Sequence, residues 1–348
     1  MLHQRMFPFR MALAVVALVV LCGCGTQTGA SQAERVKLRL GYFPNLTHAG
    51  ALIGIENGYF TSALAGSATL EAHTFNAGGD AVTAILSGAI DATFAGPNPT
   101  TNAFVQSHGQ AIRVVSGATS GGAMLVVKTS ISSIDQLRGK RIADPQLGGT
   151  QDVALRWFLK SHGLKTDTSG GGDVSILPED NSQILTAFKQ GQIDGAWLPE
   201  PWSTRLIVEA GGKILIDERD LWPGGSFVTT NLIVATTFLR AHPAQVKDLL
   251  EGLYAATAFI TANPGQAQGI ANDAVAKITG KKLADMVVST AWPHMTFMLD
   301  PLAVTLKASA DHAHSVGLLS NVSLSGLYDL SLLNQVLSEH GQPPVSGL

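Results

Sequence analysis

The residues best placed to do chemistry in this chain are uncharged. Three stretches, "PNLTHAG" (residues 44–50), "GPNPT" (96–100) and "LGGTQD" (147–152), combine Gly or Pro with Asn, Thr, His and Gln, and none contains Lys or Arg. Such runs end strands and begin helices: Gly turns the chain, Pro sets φ for a first helical turn, and Asn or Thr caps it. The expected caps are Asn45 or Thr47 for the first helix and Asn98 or Thr100 for the helix after Gly96. Gly148 and Gly149 would bring bare backbone to a third start. The N–H groups of a helix start favour an anion. A phosphate dianion would recruit Arg or Lys, so the expected chemistry is retention of a singly charged oxyanion by dipoles and hydroxyls. Each helix end contributes about 0.3–1 kcal/mol at an exposed site. Micromolar binding requires about 8 kcal/mol, so another part of the ligand must find further contact.

Other chemistries find little support. The nucleophile elbow G-x-S-x-G and the metal motifs H-E-x-x-H and C-x-x-C are missing from the sequence. "DHAH" (311–314) puts two His two residues apart, which on a helix face different ways, so no metal site is expected. In "WLPEPW" (197–202), Trp197 and Trp202 either offer apolar contact to a ligand or fill a core. Glu200 either approaches an ammonium group or is a solvated loop carboxylate. His48 either packs or touches the ligand.

The elements that would position these stretches come in two similar series. "VKLRLGYF", "SATLEAHTF" and "AIDATFA" are strands separated by helices over 49–57 and 80–86. From Gly139 a short strand, a Gly loop, a helix, "DVSILP", a helix over 181–189 and "GQIDGAWLPEPW" repeat that order. Each series contains Gly-x-Ile-Asp, then a short apolar strand, then two prolines one residue apart. Two similar βαβαβ lobes account for this. "GAMLVVKTS" (122–130) and "SFVTTNLIVATT" (226–237) are extended and β-branched and bracket the second series, as crossings between lobes would. The expected organisation is a first lobe of 37–124 and 233–348 and a second of 125–232. The helices after Pro243 return to the first lobe, with turns at Pro264, Gly280 and Pro293. In open α/β sheets ligands sit outside the carboxyl ends of strands, so the three starts converge on one cleft.

At 348 residues, 45% hydrophobic and 14% charged, with formal net charge −3, the chain suits two cores and has no basic clustering for nucleic acid. Arg5 and Arg10 precede an apolar run (11–21) and "LCGC", the pattern of an export leader over 1–23. The run is short for a membrane span. "LCGC" resembles a bacterial lipobox, with Gly23 in the small position before Cys24. The expectation is therefore a lipid-bearing Cys24, a flexible tether over 24–36 and no disulfide.

Taken together, "LGYFPNLTHAGALIGIENGYF", "GAIDATFAGPNPT", "GGTQDVALRWFL", "IDGAWLPEPW" and "GSFVTTNLIVA" resemble the solute-binding components of ABC importers for nitrate, aliphatic sulfonates and taurine. The resemblance covers the chain from about Lys37 to the C-terminal helices. It implies an α/β, type II periplasmic-binding-protein fold, with two lobes joined by two crossings that close on a ligand. Carried over, the ligand-binding positions are Asn45, Thr47, His48, Gly96, Asn98, Gly149, Thr150 and Gln151, with Trp197 and Glu200 from the last loop. It also implies a monomer outside the cytoplasmic membrane, with an ABC permease and its ATPase as partners and no metal or cofactor. Trp197 and Trp202 favour an alkyl or aryl sulfonate; nitrate, bicarbonate and a heteroaromatic thiamine-type pyrimidine are the alternatives. Pyrimidine-precursor synthases share the fold as enzymes but carry a Cys-rich motif and a cofactor-bearing Lys. No Cys follows Cys24 here, so no enzyme is expected.

Overall fold

A computed structural model describes residues Arg35–Leu348. The leader at 1–23, Cys24 and all but the end of the tether lie outside the described residues. Eleven strands are present among the described residues: β1 (Val36–Tyr42), β2 (Ala68–Thr74), β3 (Ala92–Ala95), β4 (Ile112–Gly121), β5 (Ala123–Val127), β6 (Arg141–Asp144), β7 (Ser175–Pro178), β8 (Gly195–Pro199), β9 (Lys213–Asp217), β10 (Val228–Ala235) and β11 (Met295–Phe297). They form a six-stranded sheet, β2-β1-β3-β10-β4-β11, and a five-stranded sheet, β7-β6-β8-β5-β9.

The two sheets are built alike. β1, β2 and β3 are parallel and β10 joins β3 antiparallel; β6, β7 and β8 are parallel and β5 joins β8 antiparallel. The repeated Gly-x-Ile-Asp does the same work in each. Gly88 and Gly191 take φ of +75° and +72° just past a helix end, a left-handed conformation that suits glycine. Asp91 then exchanges hydrogen bonds with Arg39 of β1: its carboxylate accepts from the Arg39 N–H at 2.8 Å, and its own N–H donates to the Arg39 carbonyl at 2.9 Å. Asp194 does likewise with Arg141 of β6, at 3.0 and 2.8 Å. The motif is a strand-pairing device.

Both faces of each sheet are covered, which explains the apolar runs in the central strands. In β5, Leu125 and Val127 enter a core with Ile142, Phe158 and Trp197, while Met124 and Val126 enter another with Ala143, Phe188 and Leu198. On the first sheet, Leu38, Leu40, Phe94 and Leu232 pack with Leu249 and Leu253 of the returning helix Pro243–Ala262. Val114, Ile233 and Phe104 meet Leu306 and Ala310 of the helix Ala303–Ser315 on the other face. The chain leaves the first sheet between Gly121 and Ala123. It is back by Val228, because β10 pairs with β3 and β4. Residues 228–232 therefore belong with the first sheet, and the return precedes the expected position at 233. The glycine at 121 and its neighbour Gly122 both have positive φ (+76° and +75°) at the first crossing. No helix among the described residues is long and apolar enough to cross a membrane.

Candidate functional site

Four helices start around a cavity of about 50 Å³ between the sheets: Gly78–Leu86, Pro97–Gln106, Thr150–Ser161 and Asn181–Lys189. Each follows the carboxyl end of a strand, β2, β3, β6 and β7 respectively. None is capped by the side chain of its own N-cap residue, Ala77, Gly96, Gly149 or Asp180. Their first N–H groups are thus left for other partners. One such partner is protein: Gln146, from the loop after β6, accepts from the Gly79 N–H at 2.7 Å through Oε1, a bond from one lobe to the other. A short turn, Leu46–His48, completes the wall ahead of the helix Ala49–Glu56. The Thr47 carbonyl accepts from Thr119 Oγ1 (2.6 Å) and Thr230 Oγ1 (3.1 Å), which fixes that turn on β4 and β10.

Of the expected residues, Asn45, Thr47, His48, Gly96, Gly149, Thr150 and Gln151 all line this cavity. His48 is the one ionisable side chain among the described residues that do so. It is buried against the Phe43 ring, centroids 4.2 Å apart, and its Nδ1 accepts from the Phe43 N–H at 3.4 Å. Burial lowers its pKa to about 3, so the ring is neutral and the cavity carries no formal charge. Thr150 is 7% exposed and its Oγ1 has no hydrogen-bond partner. Beneath it, Asp152 ion-pairs with Arg156 at 2.6 Å and accepts from the Gly148 N–H at 2.8 Å, which holds the glycine loop. Burial and the neighbouring Asp152 carboxylate push the Asp144 carboxyl well above its usual range.

Three expected site residues are elsewhere. Asn98 points away from the cavity: it donates to the Ser309 carbonyl (3.2 Å) and accepts from Ser309 Oγ (2.8 Å), so it ties two helices together. Trp197 is wholly buried in the second lobe, where Nε1 donates to Glu218 at 2.7 Å and Phe158 meets its ring edge-on. Glu200 is also buried, accepting from the Thr204 N–H and Oγ1 at 3.1 and 2.7 Å, with His294 Nδ1 at 2.8 Å. It is a structural anchor at the crossing rather than a solvated carboxylate.

The expected caps also differ. Asn45 accepts from Trp202 Nε1 at 2.9 Å across the lobes, and Thr100 Oγ1 donates back to the Gly96 carbonyl at 2.8 Å. Asn76, Ala77, Gln146 and Asn181 line the cavity without having been expected. "FNAGGD" and "EDNSQ" carried the signal, since both follow a strand in the repeat that places the other starts. "DHAH" holds no metal arrangement: His312 stacks on Trp157, centroids 3.7 Å apart, and His314 Nδ1 meets the Leu319 carbonyl at 2.9 Å. No group of metal-binding side chains occurs among the described residues.

Two lobes of like sheet order, with helix starts turned onto a neutral cleft, define the periplasmic-binding-protein class. The chain belongs to the NMT1-like family, which residues 31–275 match. It is 30% identical over 187 residues to the taurine-binding periplasmic protein of Escherichia coli strain K12; the match spans 54% of this chain and 56% of that one. It thus takes in little more than half of that relative. A putative aliphatic sulfonates-binding protein of Bacillus subtilis strain 168 is 21% identical and matches 94% of this chain and 96% of its own. In three dimensions the chain resembles the alkanesulfonate-binding protein SsuA of Xanthomonas axonopodis pv. citri bound to MOPS. The TM-score is 0.68 at 20% identity, covering 83% of this chain and 96% of that one.

Proposed function

We propose that this chain is the extracytoplasmic solute-binding component of an ABC importer, which closes two lobes over a small organic oxyanion and passes it to a permease unaltered. One observation carries the reading: four helix starts without caps of their own surround a neutral cavity. Converging N–H dipoles stabilise a single negative charge, each by a few tenths to about 2 kcal/mol as exposure falls. A site with no Lys or Arg on its wall suits sulfonate, nitrate or bicarbonate better than a phosphate dianion. The relatives named above, binding proteins for taurine and sulfonates, support the same class. Ligand-binding roles follow for Asn45, Thr47, His48, Gly96, Gly149, Thr150 and Gln151, and export with a lipid on Cys24 completes the proposal.

A thermal-shift screen of the chain from Gly25 onward against alkyl sulfonates, taurine, nitrate, bicarbonate and thiamine-type pyrimidines tests it. At a hundredfold excess over Kd a ligand adds about 2.7 kcal/mol of stability, a clear rise in Tm. Response to the anions, with the ligand recovered chemically unchanged by mass spectrometry, is the expected result. A response confined to pyrimidines, or an altered ligand, would overturn it.

A further inference from the structure

Behind the wall that Gln146, Gly149 and Thr150 give to the cavity, two carboxyl groups and one guanidinium share a space closed to solvent: Asp144, Asp152 and Arg156 are all buried. Asp144 ends β6, and its Oδ1 accepts from the Gln146 N–H at 3.1 Å. Asp152 is already engaged, by the Gly148 N–H through one oxygen and by Arg156 Nε through the other. Arg156 spends Nη1 on the Asp167 carbonyl. Asp144 Oδ2 is buried with no donor, and the side chain its carboxyl meets is that of Asp152, itself an acceptor. Two oxygens that only accept form no bond until one carries a proton. One guanidinium balances one carboxylate, so a proton on Asp144 leaves the cluster neutral, whereas its loss leaves a buried charge without a partner. The remaining elements packed on β6 bring Asp144 no charge. β7 and β8 hold no ionisable side chain. Glu179 and Asp180 are exposed, and Glu179 gives Asp144 only its N–H. Lys160 donates to the Ser315 carbonyl, and Lys189 pairs with Glu209 at 3.1 Å.

Resting on the oxyanion reading above, we infer that Asp144 is a positioning residue of the ligand site and that anion capture requires the proton on its carboxyl. In the acid form, Oδ2–H donates to Asp152, which holds the Gly148 N–H, while Oδ1 holds Gln146, whose side chain reaches the Gly79 N–H of the other lobe. Release of the proton to solvent breaks the bond between the carboxyls, sets two like charges side by side under the glycine loop and puts a negative charge behind the oxyanion. Linkage is reciprocal: a bound anion favours the acid form by the factor with which the acid form favours the anion. Anion affinity is therefore full while Asp144 is protonated and falls as pH rises through its ionisation. Above that pH, capture takes up a proton.

Isothermal titration calorimetry with methanesulfonate, hexanesulfonate and nitrate, each singly negative throughout, tests this from about pH 5 to about pH 9. The parent should bind at least about fivefold more weakly at the upper end. Titrations there in two buffers of different ionisation enthalpy should show net proton uptake on binding. Asp144→Asn keeps the shape, can donate to Asp152 from Nδ2 and cannot ionise, so its affinity should vary less with pH and its proton uptake should vanish. His48, its pKa lowered to about 3, is neutral over this range, and Glu218, raised to about 7, titrates within it in both proteins alike. If the variant does not fold, the proton count on the parent decides. A flat parent profile, no net proton uptake, or the same pH dependence in Asp144→Asn would overturn the inference and leave the oxyanion reading intact, since the anions still bind. Failure of these and every other anion of the screen to bind would remove the oxyanion reading and this inference with it.

Discussion

Thr150 Oγ1 is a buried hydroxyl with no protein partner, on the wall of a cavity and at the first position of a helix. Thr150→Val keeps the shape and removes the donor. A hydrogen bond to a charged group is worth about 1.5–3 kcal/mol, so the variant should bind ligand at least about tenfold more weakly by calorimetry, with no fall in the ligand-free Tm. Glu218 makes a second prediction, independent of ligand. Burial pushes its pKa from 4.5 up to about 7, so the folded chain holds a proton that the unfolded chain has released. Its contribution to stability falls as pH rises from about 4.5 through 7. Relative to the parent, Glu218→Gln should gain about 2 kcal/mol between about pH 5.5 and 8, read from urea unfolding at both. His48 acts in the opposite sense: its lowered pKa makes stability fall as pH drops from 6.5 toward about 3. Comparison of the two proteins at each pH cancels this. At this scale the residue types were legible and the roles only partly so. Thr150 and His48, expected as ligand contacts, line the cavity; Trp197, left open between ligand contact and core, and Glu200, expected beside an ammonium group or in solvent, are both buried on partners, Glu218 and His294, that no local pattern reveals.

At the scale of elements, the duplicated Gly-x-Ile-Asp was visible in the sequence, and its purpose was not. Asp91 accepts three bonds from Arg39, through N–H, Nε and Nη2; Asp194 accepts from the Arg141 N–H and from Lys128 Nζ. Asp91→Ala leaves the half-buried Arg39 N–H unpaired and should cost about 1–3 kcal/mol. Asp194→Ala frees the exposed Arg141 N–H and breaks the ion pair with Lys128, and should cost less, about 1 kcal/mol. Hydrogen exchange should show the first loosening β1 and β3, and the second loosening β6 and β8. Loosening of both lobes by either variant would contradict two separately paired sheets. The helix starts show the same division. Gly, Pro and the preceding strand marked where helices begin, and the 181–189 helix has the bounds expected. The caps were misassigned because Asn45 is engaged by Trp202 from the opposite lobe, Asn98 is engaged by Ser309, and Thr100 donates back to the Gly96 carbonyl.

For the molecule as a whole, the two lobes touch closely at the site. A Cβ on Gly96 would sit 2.2 Å from Thr150 Oγ1, and Gly96 belongs to the first lobe and Thr150 to the second. Gly96→Ala should therefore fold but not close fully. Overpacking of this kind costs about 1–3 kcal/mol, so affinity should fall about ten- to a hundredfold, and X-ray scattering should show less compaction on ligand addition than for the parent. Far from the site, Trp157 of the helix Thr150–Ser161 stacks on His312 of the helix Ala303–Ser315, and Lys160 Nζ donates to the Ser315 carbonyl. This clasp joins the ligand-facing helix of one lobe to the other lobe. Trp157→Ala should raise the dissociation rate several-fold with little change in the association rate, as stopped-flow fluorescence would report.

By itself the sequence determined the two lobes, the order and type of their elements, and the Gly-, Pro- and Thr-bearing helix starts that surround the cavity. These are local properties: periodicity, turn chemistry and an internal repeat are written along the chain. Which indole is sunk in a core, which asparagine is engaged by a neighbour and which glycine meets a threonine were decided by the tertiary structure alone. Contacts such as Asn45 to Trp202 or Asn98 to Ser309 join residues far apart in the sequence, and no local pattern distinguishes a polar side chain satisfied by such a neighbour from one left free for a ligand.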